Sequence, residues 1–257
     1  MAATYQDAIM LFGDSLTQGA WEFNGIGARL AHVYARKFDV LNRGFSGYNT
    51  EWALPVFEQI FAKQHEQQHV PLVRLLTIWF GANDACIPGT AQHVPLPRFT
   101  ENLLKMIQMV QSPSSPYYSP DTKIILISAP PVNTQQRGAD LASRDPPKDL
   151  DRLFEKTQTY AEEVVRLGKK EGLPVVDAWT KLWEAAGKEE SALKEYLYDG
   201  LHVNEAGYKV VYDGIVEAIA THYPELRHDA TQYRFPTWDY FIDHSVDDFK
   251  KEHHLAA

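Results

Sequence analysis

Five short apolar runs punctuate the chain, at residues 8–12, 38–41, 72–80, 123–129 and 174–177. They are rich in Val, Ile, Leu and Phe and mostly lack polar–apolar alternation, the pattern of strands covered on both faces. Between them, segments 26–36, 50–63, 97–111 and 150–171 repeat apolar residues three and four apart. Leu153, Thr157, Tyr160, Val164 and Leu167 illustrate that spacing, which turns one helix face inward. A last helix is predicted from Asn204, a favourable N-cap, to Ala220. Strands alternating with helices predict an α/β fold, a three-layer α/β/α sandwich around a five-stranded parallel sheet. Residues 112–120 are Pro- and Ser-rich, and residues 132–149 read as a long polar connection. Both are expected to be loops.

No repeat or composition shift divides the chain, so one domain is expected over residues 1–223. The remainder, 224–257, has no clear period but holds Tyr233, Phe235, Trp238, Tyr240, Phe241 and Phe249. So aromatic a tail is expected to dock, either on its own domain or on a second copy of the chain in a homodimer.

Composition narrows the function classes. The 257 residues carry 25 Lys and Arg against 34 Asp and Glu, a formal charge of −9. Such a surface repels phosphate backbones, so nucleic acid is not an expected partner. A chain of this length buries enough surface to fold without a staple. Cys86 is the single cysteine, which excludes an internal disulfide and any multi-cysteine metal site. No apolar run approaches the ~18 residues of a membrane span. Residues 1–7 are polar and the run at 8–12 is too short for a signal peptide, so a cytoplasmic location is expected.

The candidate chemistry gathers where strands end. In open α/β sheets, ligands bind at loops leaving the carboxyl ends of strands. The first strand runs into Gly13-Asp14-Ser15-Leu16-Thr17, which puts Ser15 where a nucleophile belongs. A serine there also serves as a helix cap or turn residue. The third strand ends in Gly81-Ala82-Asn83-Asp84. In a flavodoxin-like 2-1-3-4-5 order, strands 1 and 3 are neighbours, and Asn83 faces Ser15 across the switch point, where its amide can donate to an oxyanion. An Asx-turn closing the strand is the plainer role. Gly44-Phe45-Ser46-Gly47 follows the second strand and offers the Gly47 N–H as a further donor beside that of Ser15, or simply a turn. Asp199-Gly200-Leu201-His202 precedes the last helix. Three residues apart, Asp199 can accept from His202 Nδ1 and leave Nε2 to take a proton from Ser15. An isolated Asp–His pair is usually structural, but four such elements on one face are hard to assign to coincidence.

These blocks resemble the SGNH-type (GDSL) esterases and lipases in order and spacing, over roughly residues 9–220. The resemblance implies Ser15 as nucleophile, His202 as base, Asp199 as its orienter, and Ser15, Gly47 and Asn83 as the oxyanion hole. It implies a serine hydrolase that needs no metal or organic cofactor. Asp199–Tyr208 and Asn42–Thr50 look akin to the isoamyl acetate-hydrolysing esterases, which cleave small acetate esters. A short-chain ester is therefore the expected substrate. Acyl-thioesterase, lipase, carbohydrate acetylesterase and a silent lipid-binding member are the alternatives. No GxSxG motif occurs, so the elbow of the other large esterase class is absent.

Other features compete for attention. Trp21 and Phe23 follow Ser15 and are candidates to line an apolar substrate pocket. Trp79, Phe80 and Cys86 read as core. Asp14 and Asp84 read as structural hydrogen-bonders. His65-Glu66-Gln67-Gln68-His69 matches HExxH, but its flanks suggest an exposed helix end rather than a zinc site. His244, His253 and His254 sit among acidic residues in a charged terminus.

Overall fold

The three central strands of the sheet are apolar on both faces, and alternate residues feed two separate cores. In the computed structural model, which describes residues 6–252, β1 (Ala8–Gly13) sends Ile9 and Leu11 to one side and Met10 and Phe12 to the other. β3 (Val73–Trp79) divides Leu75 and Trp79 from Leu76 and Ile78, and β4 (Lys123–Ile127) divides Ile125 and Ile127 from Ile124 and Leu126. With β2 (Asp39–Gly44) and the two-residue β5 (Val175–Val176) they form a five-stranded, wholly parallel sheet in the order 2-1-3-4-5. Parallel pairing forces every connection to cross a face, and the helices supply the covering layers.

One layer holds α2 (Ile26–Val33), α7 (Ala178–Ala185) and α8 (Glu205–His222); the other holds α3 (Thr50–Ile60), α4 (Leu96–Gln111) and α6 (Phe154–Glu171). The fold is thus the expected α/β/α sandwich. Two short helices stand at the carboxyl edge of the sheet, α1 (Ser15–Gln18) and α5 (Thr134–Ala142). Beyond α8, residues 224–252 form a 3₁₀ turn at Pro224–Leu226, then α9 (Tyr240–Asp243) and α10 (Val246–Glu252).

Several boundaries differ from the pattern. Residues 132–149 are not one loop, because α5 occupies their first half. Its buried residues are Arg137 and Leu141, so it presents no apolar stripe to betray it. α7 follows a good cap, Asp177, whose carboxylate accepts from Thr180 N–H at 3.1 Å. α6 begins at Phe154 rather than residue 150, since Leu153 is extended at φ −121° and ψ 145° and Arg152 pairs across to Cys86. The HExxH segment is not a helix end. α3 stops at Ile60, and Gln67–His69 is a single 3₁₀ turn, so His65 and His69 do not share an α-helical face. His253 and His254 lie outside the described residues.

Candidate active site

The parallel register brings three strand ends level. Gly13 pairs with Gly44 on one side and with Trp79 on the other, so the loops carrying Ser15, Gly47 and Asn83 leave one edge together. Gly13 is required at that exit: a Cβ there would lie 2.1 Å from Thr17 Oγ1 and 2.5 Å from the Trp79 carbonyl oxygen. Asp14 is buried and caps α1, accepting from Leu16 N–H at 2.9 Å. That cap leaves Ser15 as the first residue of α1, where backbone N–H groups lack intrahelical acceptors. Among the described residues, neither the Ser15 nor the Gly47 N–H has a hydrogen-bond partner.

His202 reaches Ser15 from the loop before α8. That loop is pinned by the Leu197–Val203 bridge, by Tyr198 N–H donating to the His202 carbonyl at 3.0 Å, and by Asn204, which caps α8 at Ala206 and Gly207. α8 is tied to α1 by Tyr208, whose hydroxyl donates to the Leu16 carbonyl at 2.8 Å. The result is a linear array. His202 Nε2 lies 2.9 Å from Ser15 Oγ, and Nδ1 lies 2.8 Å from Asp199 Oδ2. An ionised carboxylate only accepts, so Nδ1 donates, and neutral Nε2 accepts from the serine hydroxyl. The Tyr198 ring stacks on the imidazole with centroids 5.4 Å apart, a contact the sequence did not suggest.

Asp199 is held ionised. Burial opposes its charge, but the His202 side chain and the backbone N–H groups of His202 and Leu201 outweigh it and hold the carboxyl well below the usual range. Asp14 and Asp84 behave in the opposite sense. Burial pushes Asp14 up to about 7 against the lowering effect of Leu16 N–H, and Asp84 up to about 6 against its bonds to Thr50. Each has one buried carboxyl oxygen without a partner.

The Asn83 side chain is oriented from three directions. Its Nδ2 donates to the Tyr48 carbonyl at 2.8 Å, while Oδ1 accepts from Arg152 Nη2 at 2.7 Å and Gln92 Nε2 at 3.2 Å. Gln92 Nε2 also holds the Gly47 carbonyl at 2.8 Å, and Gly47 sits at φ +81°. One Nδ2 hydrogen of Asn83 is left over from these contacts. The structure therefore brings Ser15, Asp199 and His202 into contact and carries Gly47 and Asn83 to the same strand edge. Trp21 and Phe23 are strongly exposed on the connection between α1 and α2, at 49% and 82%. Trp79, Phe80 and Cys86 are buried. Arg137, on α5, and Gln92, Asp151 and Arg152, on loops, carry no signal in the sequence, because single polar residues have no period.

Comparison with known proteins places the chain in a class. The pattern of the GDSL-like lipase/acylhydrolase family matches residues 11–210, and the chain belongs to that family. It is a carboxylic ester hydrolase of the SGNH/GDSL type. A GDSL esterase/lipase of Arabidopsis thaliana is 37% identical over 213 residues, covering 80% of this chain and 83% of the plant protein. The isoamyl acetate-hydrolyzing esterase of Saccharomyces cerevisiae is 32% identical over 246 residues, covering 92% of this chain and 96% of the yeast protein. Among solved structures, a lipase/acylhydrolase from Enterococcus faecalis superposes with a TM-score of 0.59 at 24% identity, over 88% of this chain and 98% of that one. That likeness concerns the fold. No helix among the described residues is long and apolar enough to cross a membrane.

Proposed function

We propose that the protein hydrolyses short-chain, acetate-type carboxylic esters through an acyl-enzyme on Ser15. The observation that carries this reading is the relay from Asp199 Oδ2 through His202 to Ser15 Oγ, with contacts of 2.8 and 2.9 Å. Ser15 Oγ attacks the ester carbonyl carbon as its proton passes to His202 Nε2. The C–O bond to the alcohol then breaks, and the imidazolium returns that proton to the leaving oxygen. Water repeats the sequence on the acyl-enzyme, with His202 again as base, and releases the carboxylic acid. The unpartnered N–H groups of Ser15 and Gly47, with the remaining hydrogen of Asn83 Nδ2, are the donors proposed for the oxyanion.

The small-ester part of the reading draws support from the yeast relative, whose name is that of an isoamyl acetate-hydrolyzing esterase. Trp21 and Phe23, exposed after Ser15, are the apolar side chains proposed to meet the substrate. A small-molecule ester is the partner this reading requires. The free, buried Cys86 suits a reducing, cytoplasmic setting. The test is hydrolysis of p-nitrophenyl esters from acetate to decanoate by wild type and Ser15→Ala in parallel. Serine-dependent turnover greatest at acetate or butyrate supports the proposal. A rate rising toward decanoate refutes the acetate part, and activity in Ser15→Ala above a few per cent refutes the mechanism.

A further inference from the structure

From α5 to the residues just before α6 the chain lays a row of charges against the site. Arg137 and Arg152 are both buried, at 4% and 2% exposure. Arg137 Nη1 donates to Asp199 Oδ2 at 3.0 Å, the same oxygen that faces His202 Nδ1. Its Nε and Nη2 grip the two carboxylate oxygens of Asp151 at 3.1 and 3.0 Å, a bidentate pair. Asp151 Oδ2 also accepts from Arg152 Nη1. Arg152 in turn donates from Nε to the Ala82 carbonyl and from Nη2 to Asn83 Oδ1, both at 2.7 Å. The chain of contacts is unbroken: Asp199, Arg137, Asp151, Arg152, Asn83.

We infer that Arg137, Asp151 and Arg152 are positioning residues, which set the charge balance around the His202–Asp199 pair at one end and the orientation of the Asn83 amide at the other. The inference rests on the roles proposed above for Ser15, His202 and Asn83. Desolvating these charges costs more than packing apolar side chains of similar volume, so the row is a poor way merely to anchor a loop. Its ends also fall on two atoms whose placement the chemistry needs. Burial disfavours the Asp151 charge, yet the two guanidinium groups hold it below the usual carboxylate range. The groups around His202 are Asp199, Asp14 and the Tyr198 ring, with Glu22 near Tyr198 and Asp140 on Arg137.

The signs follow from charge. Losing Arg137 removes a cation next to Asp199, which makes the imidazolium easier to form. The acid limb of kcat/KM then moves to higher pH. Losing the Asp151 charge leaves Arg137 less neutralised and moves that limb to lower pH. Losing Arg152 leaves the limb in place but frees the Asn83 amide to turn.

The test is the pH profile of p-nitrophenyl acetate hydrolysis by wild type, Ser15→Ala, Arg137→Met, Arg137→Lys, Asp151→Asn and Arg152→Met, with thermal unfolding of each. Arg137→Met and Asp151→Asn should move the acid limb in opposite directions, and Arg137→Lys should restore most of the wild-type profile. Arg152→Met should lower kcat about tenfold or more at nearly unchanged KM, a fraction of the ~100- to 1000-fold expected for losing an oxyanion donor. Acid limbs that stay put, or shift together, in folded Arg137 and Asp151 variants overturn the inference, as does an unchanged kcat in Arg152→Met. Should Arg137→Met fail to fold, Arg137→Lys and Asp151→Asn decide the charge argument between them. An active Ser15→Ala would sink the proposed function itself; an inactive Ser15→Ala beside normal variants would sink only this inference.

Discussion

Asp14 shows how one residue can be tied to catalysis by position and to stability by charge. Its carboxyl titrates near 7 in the fold against an ordinary value of 3.8. Below about pH 4 both states hold the proton; between there and 7 the unfolded chain releases it and the folded chain does not. The folded state then binds more protons, so this group lowers stability as pH rises and levels off above 7. Removing the charge should show that directly. The difference in Tm between Asp14→Asn and wild type should become more positive from pH 5 to pH 8, as read by calorimetry, whatever its value at pH 5. A flat difference would mean that the carboxyl ionises freely in the fold. Asn83 makes a second prediction at this scale: Asn83→Ala should lower kcat about 100- to 1000-fold with a small change in KM. Ser15 and Asn83 are legible as candidates because strand ends converge in a parallel sheet, whereas Asp199 and His202, on the loop before α8, are legible through their spacing of three residues and the family resemblance. Arg137 and Arg152 are not, since a buried arginine in a polar stretch looks the same on paper as an exposed one.

At the level of elements, what was legible depended on whether an element buries an apolar stripe. α4 and α8 do, and their extents were nearly right. α5 buries a guanidinium instead, and periodicity had nothing to detect. α7 was detectable through its Asp177 cap and the inward spacing of Trp179 and Leu182. The link between α5 and the His202 loop is close. Gly200 sits at φ +84°, its carbonyl accepts from Asn133 N–H at 2.8 Å, and a Cβ on it would lie 2.4 Å from Arg137 N. Gly200→Ala should therefore destabilise by more than ~1 kcal/mol and should also lower activity, because relief of the clash moves Asp199 relative to Arg137. Chemical denaturation and ester turnover on the same sample check both halves.

The whole molecule is a parallel sheet between two cores, and the segment 224–252 lies along one flank, where Leu226 joins one of those cores. Tyr34 donates to the Leu226 carbonyl at 2.6 Å, Arg36 Nη2 to the Pro236 carbonyl at 2.6 Å, and the Arg36 guanidinium lies 4.7 Å from the Tyr233 ring centroid. Leu226 is buried, whereas Trp238, Ile242 and Val246 are mostly exposed. Truncation after residue 236 is therefore expected to leave Tm nearly unchanged, while truncation after residue 223 lowers it; light scattering on both reports any change in oligomeric mass. Ser15 as the nucleophile is the claim on which the rest depends, and a fluorophosphonate, which phosphonylates active-site serines with loss of fluoride, tests it most directly. Intact mass and peptide mapping should find one adduct per chain, on the peptide containing Ser15, and none in Ser15→Ala. An adduct on another residue, or wild-type turnover by a fully labelled sample, would contradict it.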